Sequence, residues 1–169
     1  SIIDVPVISE LYNFTTTESD FQKLKQKLSL QENYIIINPN ASDLRIERRW
    51  PKEKYSSLVE KIIERYPDCQ PILIGSTGEA KYVRELLEVV KSKFESSILN
   101  TAGKLSIEEL TALISRTKWM ITNDTGPMHL SFVAHRPTIA LFGPASPVQF
   151  GNHPSVCAVY KKVECIPCV

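Results

Sequence analysis

From residue 34 onward, short runs of aliphatic residues alternate with longer segments of helical period. Few architectures accept that rhythm. Tyr34-Ile35-Ile36-Ile37-Asn38 predicts a β-branched strand bounded by turn formers. Further strands are predicted at 71–74, 97–100, 119–122 and 138–142, with a sixth at 156–160. Between them, 51–66 places Tyr55, Leu58, Val59, Ile62 and Ile63 on one face, and 79–93 does the same with Tyr82, Val83, Leu86, Leu87 and Val90. Segment 106–117 opens on Ser106 with Glu109 three residues on, a capping-box pattern. Segment 127–134 follows the fourth strand, and a short amphipathic helix over 20–30 precedes the first. Strands separated by helices require crossover connections and a parallel sheet covered on both faces. Nearly unbroken Ile, Leu and Val in the strands fit burial from both sides. The expected fold is therefore α/β, a doubly wound parallel sheet, with its ligand site along the carboxyl ends of the strands.

The 169 residues suffice for one domain with a sizeable core. A net charge of +1 gives no reason to expect nucleic acid as a partner. No stretch approaches the roughly 18 apolar residues of a membrane span, and no signal peptide is visible. Four cysteines are present. Cys69 and Cys157 read as small core residues, while Cys165 and Cys168 form a terminal CxxC, half of a metal site without its other half. Reduced thiols are the simpler reading, and no metal site or cofactor is expected.

The residues just after each strand define a candidate site. The first strand runs into Asn38-Pro39-Asn40-Ala41-Ser42 and then Arg45, Arg48 and Arg49; the second into Gly75-Ser76-Thr77-Gly78-Glu79; the third into Thr101-Ala102-Gly103-Lys104. After the fourth come Asn123-Asp124-Thr125-Gly126-Pro127-Met128-His129, and after the fifth Gly143-Pro144. Small hydroxyls, glycines, cations and a helix N-terminus suit a phosphate-bearing ligand. Neither a P-loop nor a GxGxxG is present, so the common ATPase and dinucleotide readings lack their fingerprints. Each feature also has a plainer reading. The arginines can form a solvated loop, Gly75 can serve only its turn, and His129 can be structural. Asp124 would repel a diphosphate, so it is expected to cap the fourth helix, with Thr125, to accept hydrogen bonds from sugar hydroxyls, or to do both.

The block Asn123-Asp124-Thr125-Gly126-Pro127-Met128-His129-Leu130, followed by Arg136-Pro137-Thr138-Ile139-Ala140-Leu141-Phe142-Gly143-Pro144, resembles the signature of the lipopolysaccharide heptosyltransferases, glycosyltransferase family 9. Asn38-Pro39-Asn40-Ala41-Ser42, Arg48-Arg49-Trp50-Pro51, Thr101-Ala102-Gly103-Lys104-Leu105-Ser106 and the terminal Cys165-Ile166-Pro167-Cys168 are similar in order. The resemblance runs from about Tyr34 to the end. It implies a GT-B enzyme of two Rossmann-like halves, of which this chain matches the C-terminal, donor-binding one. Residues 1–33 then form a linker and N-terminal helical segment, and 34–169 the donor-binding domain.

By that resemblance Asp124 contacts the sugar, Thr125 and Gly126 hold the diphosphate, and His129 lies beside it. Asn40, Ala41, Ser42, Arg48, Gly75 and Lys104 complete the donor site. A family glutamate that touches the nucleotide ribose falls at Glu79, where the local spacing departs from the family pattern. The implied donor is ADP-heptose and the implied acceptor the lipopolysaccharide core, held with the base by the other half. No residue here is given a catalytic role, and the chain alone is expected to turn over poorly or not at all. The absence of a DxD motif or metal-spaced cluster agrees with inverting, metal-independent transfer. The resemblance implies a bacterial cytoplasmic enzyme, with peripheral membrane association open to the full-length protein. Two other readings stand beside it: half of a GT-B-like nucleotide-sugar epimerase, and a non-catalytic nucleotide-binding or protein-interaction module.

Overall fold

The computed structural model describes residues 16–41, 43–150 and 154–161. Six parallel strands form one sheet: β1 (Tyr34–Asn38), β2 (Gln70–Leu73), β3 (Leu99–Asn100), β4 (Met120–Asn123), β5 (Thr138–Leu141) and β6 (Val156–Val159). Their spatial order is β3-β2-β1-β4-β5-β6, the order of a doubly wound nucleotide-binding sheet. All five residues of β1 are buried, because the strand lies centrally and both its faces are covered.

Alternation along β1, β2 and β4 divides the core around them in two. Ile35, Ile37, Leu73 and Ile121 face α2 (Lys52–Arg65) and α3 (Ala80–Val89), packing on Tyr55, Val59, Val83 and Leu86. Tyr34, Ile36, Ile72 and Met120 face the opposite layer, which includes α1 (Glu18–Leu28) and α5 (Ile107–Arg116). Phe21 and Leu24 of α1 belong to that second core, so the helical segment ahead of β1 forms part of the sheet's cover.

Ser106 and Glu109 make the expected capping box on α5. The helix expected over 79–93 ends at Val89: Val90 leaves it in extended backbone to pack inward, and a separate short helix, α4 (Ser92–Glu95), comes next. Also new are a 3-10 turn over Asp43–Arg48, α6 (Gly126–Val133) beginning one residue early, and α7 (Pro147–Phe150).

Surface carboxylates give the fold an acid-side weakness. The Lys27 ammonium, and then the Ser106 N–H, hold the Glu109 carboxyl below its ordinary 4.5. The backbone N–H and ammonium of Lys91 do the same for Glu60. A carboxyl lowered on folding contributes in full above its unfolded value and loses that contribution as pH falls through the folded one. The thermal midpoint therefore declines below about pH 4.5, shallowly because the Lys27–Glu109 pair is open to solvent. Glu109→Gln should flatten the decline; a profile indifferent to that change would remove this account.

Candidate functional site

The topological switch lies between β1 and β4, neighbours whose connections leave in opposite directions. Asn38 and Asn123, the last residues of these strands, start a buried polar network there. Asn38 Nδ2 donates to the hydroxyls of Thr122 at 3.0 Å and Thr125 at 2.9 Å. Its Oδ1 accepts from the Asn40 side chain, which also donates to the Ile74 carbonyl. Asn123 Nδ2 donates to the carbonyls of Pro39 and Asn40, and its Oδ1 accepts from the Trp50 N–H and the Tyr55 hydroxyl. The aliphatic strands thus end in amides that tie the loop after β1 to the loop after β4.

That network fixes the start of α6. Thr125 occupies the N-cap position of this helix, yet no side chain caps it, since the Thr125 hydroxyl accepts from Asn38. Asp124 is not a cap either, which corrects that half of the expectation. Its N–H donates to the Leu141 carbonyl at 3.2 Å, and its carboxylate, 3% exposed, lies 3.2 Å from Arg48 Nη1. This contact is an ion pair by distance only. Asp124 Oδ2 has no hydrogen-bond partner, and the buried Arg48 Nε has none. A desolvated carboxylate and a guanidinium edge with unmade bonds are costly to keep, unless a ligand completes them.

Both groups face a cleft of about 580 Å³ at the carboxyl ends of the strands. Asn38, Arg45, Arg48, Ser76, Gly78, Glu79, Asp124, Thr125, Gly126 and Pro127 line it, within the size range of small-ligand sites. A Cβ built on Gly126 meets no protein atom within 4 Å, so the first turn of α6 fronts open space. The N–H groups of such a turn, with the positive end of the helix dipole, attract an anion.

Of the residues singled out in the sequence, Arg48, Asp124, Thr125, Gly126 and Glu79 meet in this cleft. Glu79 accepts the Ser76 N–H at 2.7 Å, closing its own loop while bordering the cavity. Five others do not line the cleft. Asn40 and Ala41 are buried behind it; Asn40 serves the amide network, and the Ala41 carbonyl receives two bonds from the Arg49 guanidinium. Gly75 allows a close approach, since a Cβ there would sit 2.8 Å from Asn40 Nδ2. Lys104 is exposed and donates to the Asn100 carbonyl. His129 is exposed on α6, edge-to-face with Phe132. Ser42, Cys165 and Cys168 lie outside the described residues. Asn38, Arg45 and Ser76, placed at the strand ends by the sequence but given no part in the donor site by the resemblance, also join the lining.

A second groove, between α1 and α5, measures about 470 Å³ and is lined by Leu24, Ile107 and Ala112 with charged residues around them. It is mainly hydrocarbon and shares no lining residue with the cleft.

The sequence profile of glycosyltransferase family 9 (heptosyltransferase) matches residues 2–169. The chain belongs to that family. Among curated family 9 relatives, lipopolysaccharide heptosyltransferase 2 of Salmonella typhimurium is 36% identical over 100 residues, 59% of this chain and 28% of the relative. Lipooligosaccharide heptosyltransferase 2 of Campylobacter jejuni is 29% identical, matching 96% of this chain and 54% of its own length. The structure of the ADP-heptose lipopolysaccharide heptosyltransferase II of Escherichia coli superposes with a TM-score of 0.77 at 24% identity, covering 90% of this chain and 49% of that one. That likeness is one of fold: the sheet is half of a GT-B architecture. The chain spans about half the length of these relatives, or less.

Proposed function

We propose that this chain is the donor-binding half of a glycosyltransferase that moves a sugar, heptose from ADP-heptose, onto the lipopolysaccharide core. One observation carries the reading: an almost fully buried carboxylate with an unmade hydrogen bond stands beside an uncapped helix N-terminus and two arginines in a single cleft. The helix end and the guanidinium groups suit a diphosphate. The carboxylate suits hydroxyl donors, which a sugar supplies and a phosphate does not. Glu79, which borders the same cleft, is assigned the ribose hydroxyls. As the glycosidic bond breaks, negative charge builds on the departing diphosphate, where the α6 dipole and Arg48 stabilise it without a metal. The acceptor and its base belong to the other half, so transfer from the opposite side of the sugar inverts its configuration. The chain alone binds donor and does not turn over.

Titration calorimetry with ADP, UDP, GDP and ADP-heptose tests this directly. ADP should bind most tightly of the bare nucleotides; silence with all three would support a non-catalytic module instead. Asp124→Ala should weaken ADP-heptose by about tenfold or more, the worth of a hydrogen bond to a charged group. Bare ADP should bind the variant equally well or better, because Arg48 is released from its ion pair. Equal losses for both ligands would leave Asp124 without a sugar contact.

A further inference from the structure

We infer that Gly143, on the loop after β5 and outside the cleft lining, is the positioning residue that sets the spacing between Arg48 and Asp124. The inference rests on the cleft being the diphosphate site proposed above. A Cβ built on Gly143 would stand 3.1 Å from the Glu47 carbonyl oxygen and 3.7 Å from Arg48 Cα. The loop after β5 therefore packs directly on the backbone that carries Arg48. Two residues earlier, the Leu141 carbonyl accepts the Asp124 N–H. One short piece of chain thus holds both members of the pair by their backbones, from a strand that sends no side chain into the cleft.

The packing decides which side gives way when a methyl is added. Phe142 is buried against Met128, Ala140 and Ala145, and its N–H donates to the Val159 carbonyl at 2.9 Å. The end of β5 is therefore plugged into its own core. The facing 3-10 turn is irregular, with Arg45 at φ −142° and ψ 52°, and Arg45, Ile46 and Glu47 are exposed. In the alanine variant the turn should give, by a few tenths of an ångström, and carry Arg48 off the position from which it reaches both Asp124 and the diphosphate. Gly143 does not adopt a positive φ, so alanine is not forced into the left-handed region there.

A double-mutant cycle on the 169-residue chain, read by ADP titration, tests the assignment. G143A should weaken ADP by about tenfold in the parent, and by no more than about twofold when Arg48 is already alanine, because the two changes act through one contact. Equal losses in both backgrounds, or no loss in the parent, would overturn the assignment. The Arg48 Nε–Hε resonance of the ligand-free chain supplies a readout that needs no nucleotide. It should shift in G143A, and an unmoved resonance would overturn the assignment. Should the parent bind no ADP at all, the donor-site reading falls, while the resonance still decides whether Gly143 places the arginine.

Discussion

Replacing Asn123 with leucine should cost the domain about 3–4 kcal/mol, near the upper end of single substitutions. Asn123 has no exposed surface and uses its whole amide: two N–H bonds to the Pro39 and Asn40 carbonyls, and two accepted from Trp50 N–H and the Tyr55 hydroxyl. Leucine keeps the branching, with bulkier methyl ends, and supplies none of these bonds, so several buried polar groups lose a partner together. Each such loss costs roughly 1–3 kcal/mol, with part recovered by relaxation. The Tyr55 hydroxyl also lies 3.4 Å from the Asn38 carbonyl and can turn to it. Tyr55→Phe should therefore cost only about 1 kcal/mol, and the double variant less than the sum, since the residues share one bond. Urea midpoints of the four proteins give the answer. A leucine variant within about 1 kcal/mol of the parent would mean that the network is not what joins the two loops.

The same network shows where sequence reading stops. The strands and helices were legible because burial imposes period: five isoleucine-rich or aliphatic segments left no room for another fold, and α5 announced its capping box in Ser106 and Glu109. The cleft was legible in outline, since Asp124, Thr125 and Gly126 follow a strand and open a helix. What could not be read was partner choice. A sequence does not say that the Thr125 hydroxyl bonds Asn38 and leaves α6 uncapped, or that Arg49 turns inward to the Ala41 carbonyl and over the Tyr82 ring while Arg48 turns to the cleft. Adjacent arginines have the same local signal and opposite fates, decided by which side of an irregular turn each one occupies. His129 and Lys104 were drawn in by their neighbours in sequence, yet helix phase and a local carbonyl keep them from the lining.

Arg48→Glu should lower ADP affinity by about 100-fold or more at low salt, the largest ligand effect expected of any single change here. Two arginines and two carboxylates border the cleft among its described residues: Arg45, Arg48, Glu79 and Asp124. Reversal at position 48 leaves one arginine against three carboxylates, turning a neutral lining into one carrying two negative charges. The diphosphate then loses a charge-assisted contact, about 1.5–3 kcal/mol, and meets repulsion from the group that replaced it. Arg48→Met separates these contributions, because it removes the contact without adding the repulsion. The difference between the two variants should shrink as salt is raised, since ions screen charges in an open cleft over roughly 10 Å at 0.1 M. Loss of the contact itself should respond less. The reversal also places a second carboxylate beside Asp124, whose existing contact with Arg48 is 3.2 Å, so a lower melting midpoint must accompany weak binding. If charge reversal left ADP affinity within about threefold of the parent while the midpoint fell, Arg48 would be a partner for Asp124 and nothing more. The diphosphate would then have to rest on the α6 terminus and Arg45. A midpoint drop without an affinity loss is the one outcome a purely structural ion pair predicts, and ADP titration beside a melting curve tells the two apart.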